Sequence, residues 1–227
     1  MKYMTLLAAS AAALILPSVA NAAVTVKQYG TTSLGAFSYS VSGHTITLNE
    51  TWTNNNNVFL VFDGLDDRPY QIIKNVLNNT GTSWTSIANE LLDPSVDRTD
   101  PSPQPSFVPT GYSTSNDSDG LSFNQGGSSV RSATIFPNIA VDELSNARDF
   151  IDFYGATVNS GTSFTLKYGI VDTTGGGNQP FLLSQRVNVR SLGGVPEPTT
   201  WAMMLLGFGG MGYALRHRRS GTRIRFA

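Results

Sequence analysis

The chain has no cysteine at all. Disulfides, zinc–thiolate sites, iron–sulfur clusters and cysteine-nucleophile catalysis are excluded together. Charge is scarce as well: Asp, Glu, Lys and Arg make up 14% of the residues, well below the usual quarter. With a formal net charge of −1 over 227 residues, there is no basic surplus of the kind that marks a nucleic-acid binder. Histidine occurs twice, as His44 and His217, so a His-rich metal site cannot form. No uncharged apolar run reaches the ~20 residues of a comfortable membrane helix. What the chain has in quantity is glycine, 22 residues, together with Ser, Thr and Asn, the composition of a turn-rich β protein.

The two ends differ from the middle. Lys2 opens a short basic region, an apolar run follows from Leu6 to Leu16, Pro17 breaks it, and Ala20-Asn21-Ala22 supplies a small-x-small site. That is the order of a secretory signal peptide. Residues 1–22 are therefore expected to be removed by signal peptidase, leaving Ala23 as the mature N-terminus. At the other end Val195-Pro196-Glu197-Pro198 is stiff and extended, because each proline fixes its own φ and restricts its predecessor. An uncharged run from Trp201 to Leu215 comes next, and Arg216, Arg218, Arg219, Arg223 and Arg225 close the chain. As a helix that run spans roughly 22 Å, short of the ~30 Å hydrocarbon core unless Thr199, Thr200 and snorkelling arginines extend it. Trp201 suits an interfacial boundary, and the arginines mark the retained, cytoplasmic side. A single-pass helix over about 200–215 with a basic tail at 216–227 is expected.

Pro196-Glu197-Pro198, then Thr199-Thr200-Trp201-Ala202 and the arginine cluster, resembles the PEP-CTERM sorting domain, with Trp201-Ala202 matching its PEPxxWA form. The resemblance implies recognition by an exosortase in a Gram-negative bacterium that makes exopolysaccharide. It also implies removal of the tail on the way to the surface or extracellular matrix. The extension from Gly221 to Ala227 runs past the family's usual arginine stop. Two internal stretches, from Val76 through Trp84 and from Phe164 through Gln185, are similar to segments recurring in exported domains with this tail, and bring no activity with them.

Between the ends, residues 23–194 form one domain's worth of chain. Through Val195 there are nine Lys or Arg against fifteen Asp or Glu, a net charge near −6. Such a domain is repelled by anionic polysaccharide unless cations bridge the two. Alternation at Val24–Val26, Phe37–Val41 and Thr45–Leu48 predicts strands, the last two joined into a hairpin at Ser42-Gly43. Val58–Phe62 is a continuous apolar run that predicts a strand buried on both faces. Tyr70–Leu77, Phe164–Val171 and Leu182–Val189 predict further strands. Ser83–Leu92 is ambiguous between helix and strand, Asp142–Phe150 is expected as a short helix, and Asp93–Pro109 and Tyr112–Ser129 as loops. The sum is an antiparallel β-sandwich, jelly-roll-like.

Candidate chemistry is thin. His44 has no G-x-S-x-G serine elbow to work with, and a surface position beside the Ser42-Gly43 turn is the plainer explanation. Asp63, Asp66 and Asp67 are the tightest acidic cluster and a weak candidate for Ca²⁺, weighed against a solvated turn in which Asp67 pairs with Arg68. Glu50, Asp142, Glu143, Asp149 and Asp152 are the carboxylates available for glycoside hydrolysis, which needs two acids facing each other. Tyr29, Tyr39, Trp52, Tyr70, Trp84 and Tyr112 could stack on sugars, although aromatics more often pack sheets. No cofactor is expected. The sequence thus reads as a non-enzymatic surface or matrix protein, structural or adhesive within exopolysaccharide. Its partners would be signal peptidase, an exosortase and, transiently, the membrane. The alternative is an exported carbohydrate-binding protein or hydrolase with its site in the 93–129 loops.

Overall fold

In the computed structural model of the chain, the residues described are 23–30, 33–94, 105–115, 119–123, 130–142, 148–173 and 179–191, with Phe208 and Met211 beyond them. The expected signal peptide and nearly all of the expected sorting tail lie outside them.

Two sheets pack face to face. One holds β1 (Thr25–Gln28), β4 (Val58–Asp63), β13 (Phe181–Val187), β6 (Trp84–Pro94), β11 (Phe150–Val158) and β10 (Asn138–Asp142) in that spatial order. Short β7 (Tyr112–Thr114) pairs with the far end of β6. The second sheet runs β2 (Leu34–Ser42), β3 (Thr45–Trp52), β5 (Tyr70–Asn78), β12 (Ser163–Asp172) and β8 (Leu121–Ser122), with β9 (Ser132–Ala133) also on β12. Gly43, at φ +57°, makes the β2–β3 turn as the Ser-Gly pair predicts.

The sheets are held by alternation. β3 buries Ile46, Leu48, Glu50 and Trp52, and β5 buries Tyr70, Ile72, Lys74, Val76 and Asn78. From the opposite sheet come Leu60, Ile87, Leu91, Phe153, Phe181 and Leu183. Trp52 and Trp84 meet edge to face at 5.3 Å across the interface, and Phe62 stacks on Phe181 at 5.3 Å within the first sheet.

Several expectations need correction or completion, among them the 112–129 loop, which holds the short strands β7 and β8. The sandwich is not wholly antiparallel, because β3 and β5 run parallel from Thr45↔Gln71 to Trp52↔Asn78. The cause is connectivity: β4 crosses to the other sheet, so the chain returns beside β3 in the direction it left. An all-antiparallel jelly roll is therefore not the arrangement. β4 alternates instead of burying both faces, since Phe59 and Val61 are half-buried beside the short edge strand β1. The strands covered on both faces are β6 and β13. Finally, Asp142 ends strand β10 and Phe150 begins β11, which replaces both ends of the expected helix. Ser83–Leu92, ambiguous in sequence, lies almost wholly in β6.

Candidate functional site

The outer face of the first sheet carries a seat for the segment that leads into the C-terminal tail. β13 ends at Val187, and Asn188 takes a left-handed conformation, φ 56°, which Asn tolerates better than most side chains. Its side chain accepts from the Thr85 amide at 2.8 Å and donates to the Ser83 carbonyl at 3.3 Å. The chain then folds back over the sheet. The Val189 carbonyl accepts from Ser86 Oγ at 3.1 Å, and the Arg190 guanidinium lies 3.9 Å from the Tyr154 ring centroid. Ser191 donates both its amide and its hydroxyl to the Asp152 carboxylate, at 2.5 and 2.9 Å.

Charges hold that seat together. Glu90, fully buried at the centre of β6, receives both Nε and Nη2 of Arg148 at 2.5 Å and Nη2 of Arg186 at 2.6 Å. Arg148 also donates to the Ser191 carbonyl at 3.0 Å, and Arg186 to its hydroxyl at 3.2 Å. Phe107, from the proline-rich loop, caps the cluster with its ring centroid 3.7 Å from the Arg186 guanidinium. Burial pushes the Asp152 carboxyl above its usual range, only partly offset by the Ser191 hydrogen bonds, and it pulls the Arg186 guanidinium down. Planar guanidinium forks suit this work because they satisfy a carboxylate with two parallel bonds.

The surface candidates are arranged differently. Asp63 is exposed at the end of β4, and Asp67 is exposed in the following turn. Asp66, rather than Asp67, pairs with Arg68, at 2.5 and 3.0 Å, and His44 Nε2 stands 3.3 Å from the same oxygen. Desolvation lifts the Asp66 carboxyl, but the hydrogen bonds from Arg68 and His44 outweigh it and bring its pKa to about 2. The three aspartates thus do not converge, and among the described residues no three His, Cys, Asp or Glu side chains are grouped to hold a metal ion.

The other carboxylates and aromatics are spread through the fold. Asp149 accepts from Ser115 Oγ at 2.8 Å, Asp152 belongs to the seat, Asp142 lies on β10, and Glu143 falls outside the described residues. Trp52 and Trp84 are fully buried, so neither presents a face to a sugar. Tyr70 is buried beside His44, and Tyr29 packs edge to face on Tyr112 at 5.5 Å. Tyr39 is exposed on β2 and stacks beside Phe37.

A second polar cluster sits inside the sandwich. Glu50 and Lys74, from neighbouring strands of one sheet, are 3.4 Å apart with side chains wholly out of solvent. Asn89 and Gln185 reach them from the other sheet. Trp52 Nε1 donates to Glu50 at 2.9 Å.

A family model, the PEP-CTERM protein-sorting motif, matches residues 194–219. The tail is a PEP-CTERM sorting motif. It marks the chain as an exported protein targeted to an exosortase. No curated protein and no solved structure matches the chain. The motif covers Pro196, Glu197, Pro198, Trp201, Ala202, Arg216, Arg218 and Arg219. Of these the structure describes none, and Ala20 and Ala22 likewise lie outside the described residues.

The PEP-CTERM motif starts three positions after Ser191. Five residue steps separate Ser191 from Pro196, so the chain can span at most ~18 Å between them. Sequence reasoning missed the seat. Its residues are dispersed from Ser83 to Ser191, and nothing in their spacing shows that three strands and two loops bring them together. Lys74 and Glu50 did leave a signal: each sits at an inward position of an alternating apolar strand, where an unpartnered charge would be prohibitive.

Proposed function

We propose that this protein is an exported surface or extracellular-matrix protein with a structural or adhesive role in exopolysaccharide, and not an enzyme. Signal peptidase cuts after Ala22. The Trp201–Leu215 helix holds the chain transiently in the membrane with the arginines as its cytoplasmic stop, and an exosortase processes it near Pro196-Glu197-Pro198. The observation that carries this reading is the sorting motif beginning three residues after the seated Ser191. With ~18 Å of chain at most between the seat and Pro196, the folded domain must stand next to the membrane surface while the tail is processed. The seat then keeps the outgoing strand from being drawn out.

An adhesive or structural role is supported by strand β2. It is a nine-residue sheet edge without a charged side chain, with Tyr39 and Val41 exposed by 37% and 39%. Long uncharged edges favour association with other chains.

The test is the C-terminal mass and location of the protein recovered from its native host, followed by assay of that material on polysaccharide and ester panels. A mature end between about Leu192 and Thr200 in the extracellular fraction, with no turnover, is expected. An intact tail through Ala227 in the membrane fraction would overturn the processing. Turnover abolished by a single carboxylate substitution would overturn the structural role in favour of a hydrolase.

A further inference from the structure

Lys74 is a lysine with no solvent exposure, set midway along β5 on the face that packs against the other sheet. Its Nζ donates to Asn89 Oδ1 at 3.3 Å and to Gln185 Oε1, and lies 3.4 Å from Glu50 Oε2. Glu50 has a second contact: its Oε1 accepts from Gln185 Nε2 at 3.1 Å. One carboxylate therefore touches both a primary amine and the amide nitrogen of the side chain which that amine contacts. Trp52 Nε1 fixes the carboxylate, and the Trp52 indole lies 5.9 Å from the amine.

That arrangement has the parts of an amide exchange. A buried amine is driven toward its neutral, nucleophilic form, because desolvation penalises the ammonium; burial does lower the Lys74 pKa, against the pull of Glu50. A carboxyl group beside it can accept the proton lost by the amine and deliver a proton to the leaving nitrogen. Holding the groups together removes the entropic cost of a bimolecular encounter.

We propose that Lys74 and Gln185 become joined by an intramolecular isopeptide bond, with Glu50 as the proton carrier. Lys74 Nζ attacks Cδ of Gln185, and a C–N bond forms as the carbonyl π electrons move onto Oε1. Glu50 takes the proton from Nζ and passes one to Nε2. The Cδ–Nε2 bond then breaks and ammonia leaves. Amine and primary amide become secondary amide and ammonia, Glu50 returns to its starting state, and no oxidant, metal or co-reactant is consumed.

Gln185 is the acceptor rather than Asn89 because of the leaving group. The Asn89 amide nitrogen donates to the Ile151 carbonyl at 3.4 Å, whereas that of Gln185 is on the carboxylate that must protonate it. The bond would tie the two sheets across 111 sequence positions. It would anchor β13, the strand that leads into the seat and the sorting tail. In a chain without cysteine it would supply the cross-link that other exported domains obtain from disulfides.

Intact-mass spectrometry of the folded full chain tests this directly. A mass below the sequence mass by one ammonia, about 17 Da, is expected, together with a branched peptide joining the Lys74 and Gln185 fragments in a digest. Glu50→Gln should restore the full sequence mass and abolish the branch. Should that variant fail to fold, wild-type chain denatured in urea before the bond forms serves instead: its mass should drop by one ammonia only after refolding. A folded wild type at full sequence mass overturns the proposal, and a branch at Asn89 overturns the choice of acceptor.

Discussion

Two clusters of buried charge, one on the outer face of the first sheet and one between the two sheets, solve the same problem differently. On the outer face Glu90 is met by two arginines, each reaching it through planar N–H groups, and one of them remains 24% exposed. Between the sheets Glu50 meets a single lysine, both fully enclosed, with the Asn89 and Gln185 amides and the Trp52 indole supplying the further hydrogen bonds. An arginine keeps its charge under nearly all conditions, whereas an enclosed lysine is pushed toward neutrality. The outer cluster is therefore suited to permanent electrostatic clamping of the outgoing chain, and the inner one to chemistry.

The largest effect should come from breaking the clamp at its hub. Glu90→Ala leaves the Arg148 and Arg186 guanidinium groups without their carboxylate in a buried site, and should cost about 3–5 kcal/mol in urea unfolding. Glu90→Gln should cost less, because an acceptor and the side-chain shape remain. A smaller effect separates the two carboxylates that burial and pairing treat oppositely. Asp152 has a raised folded pKa, so its contribution is fully present below the unfolded value of ~3.9 and is lost as pH rises through the folded one. Relative to wild type, Asp152→Asn should therefore gain urea resistance as pH is raised across that window.

Asp66 runs the other way and is the smallest of the three. Its folded pKa of about 2 means stability that is present above the unfolded ~3.9 and is lost as pH falls through about 2. Because solvent screens the Arg68 pair, Asp66→Asn should cost less than about 1 kcal/mol at pH 7, and the difference should vanish in acid. Equal pH dependence for the two variants would show that burial does not distinguish the outer clamp from the surface turn.

Much of the fold could be read from alternation and from apolar runs. Val58–Phe62, Tyr70–Leu77 and Phe164–Val171 each fall within the strand expected of them, and the Ser42-Gly43 turn joins β2 to β3. The failures share a cause. A parallel β3–β5 pair, the second buried face of β6 and β13, and the strands bounding 143–149 all depend on what lies across from a segment, and periodicity within it carries no such information. The seat could not be read for the same reason. Glu90, Arg148, Asp152, Arg186 and Ser191 look like scattered surface polar residues until the sheet and the loop bearing Phe107 enclose them.

By itself the sequence determined where this protein goes. A sorting motif is a contiguous string read by other enzymes, so Pro196-Glu197-Pro198, the apolar run and the arginines carry their meaning in order and spacing alone. Which strands neighbour one another, how the chain is held before it enters that tail, and the meeting of Lys74, Glu50 and Gln185 were decided by tertiary structure. Those contacts span up to 135 positions. Burial makes them consequential, since removal from water dictates which charges must be paired and pushes an enclosed amine toward its neutral form.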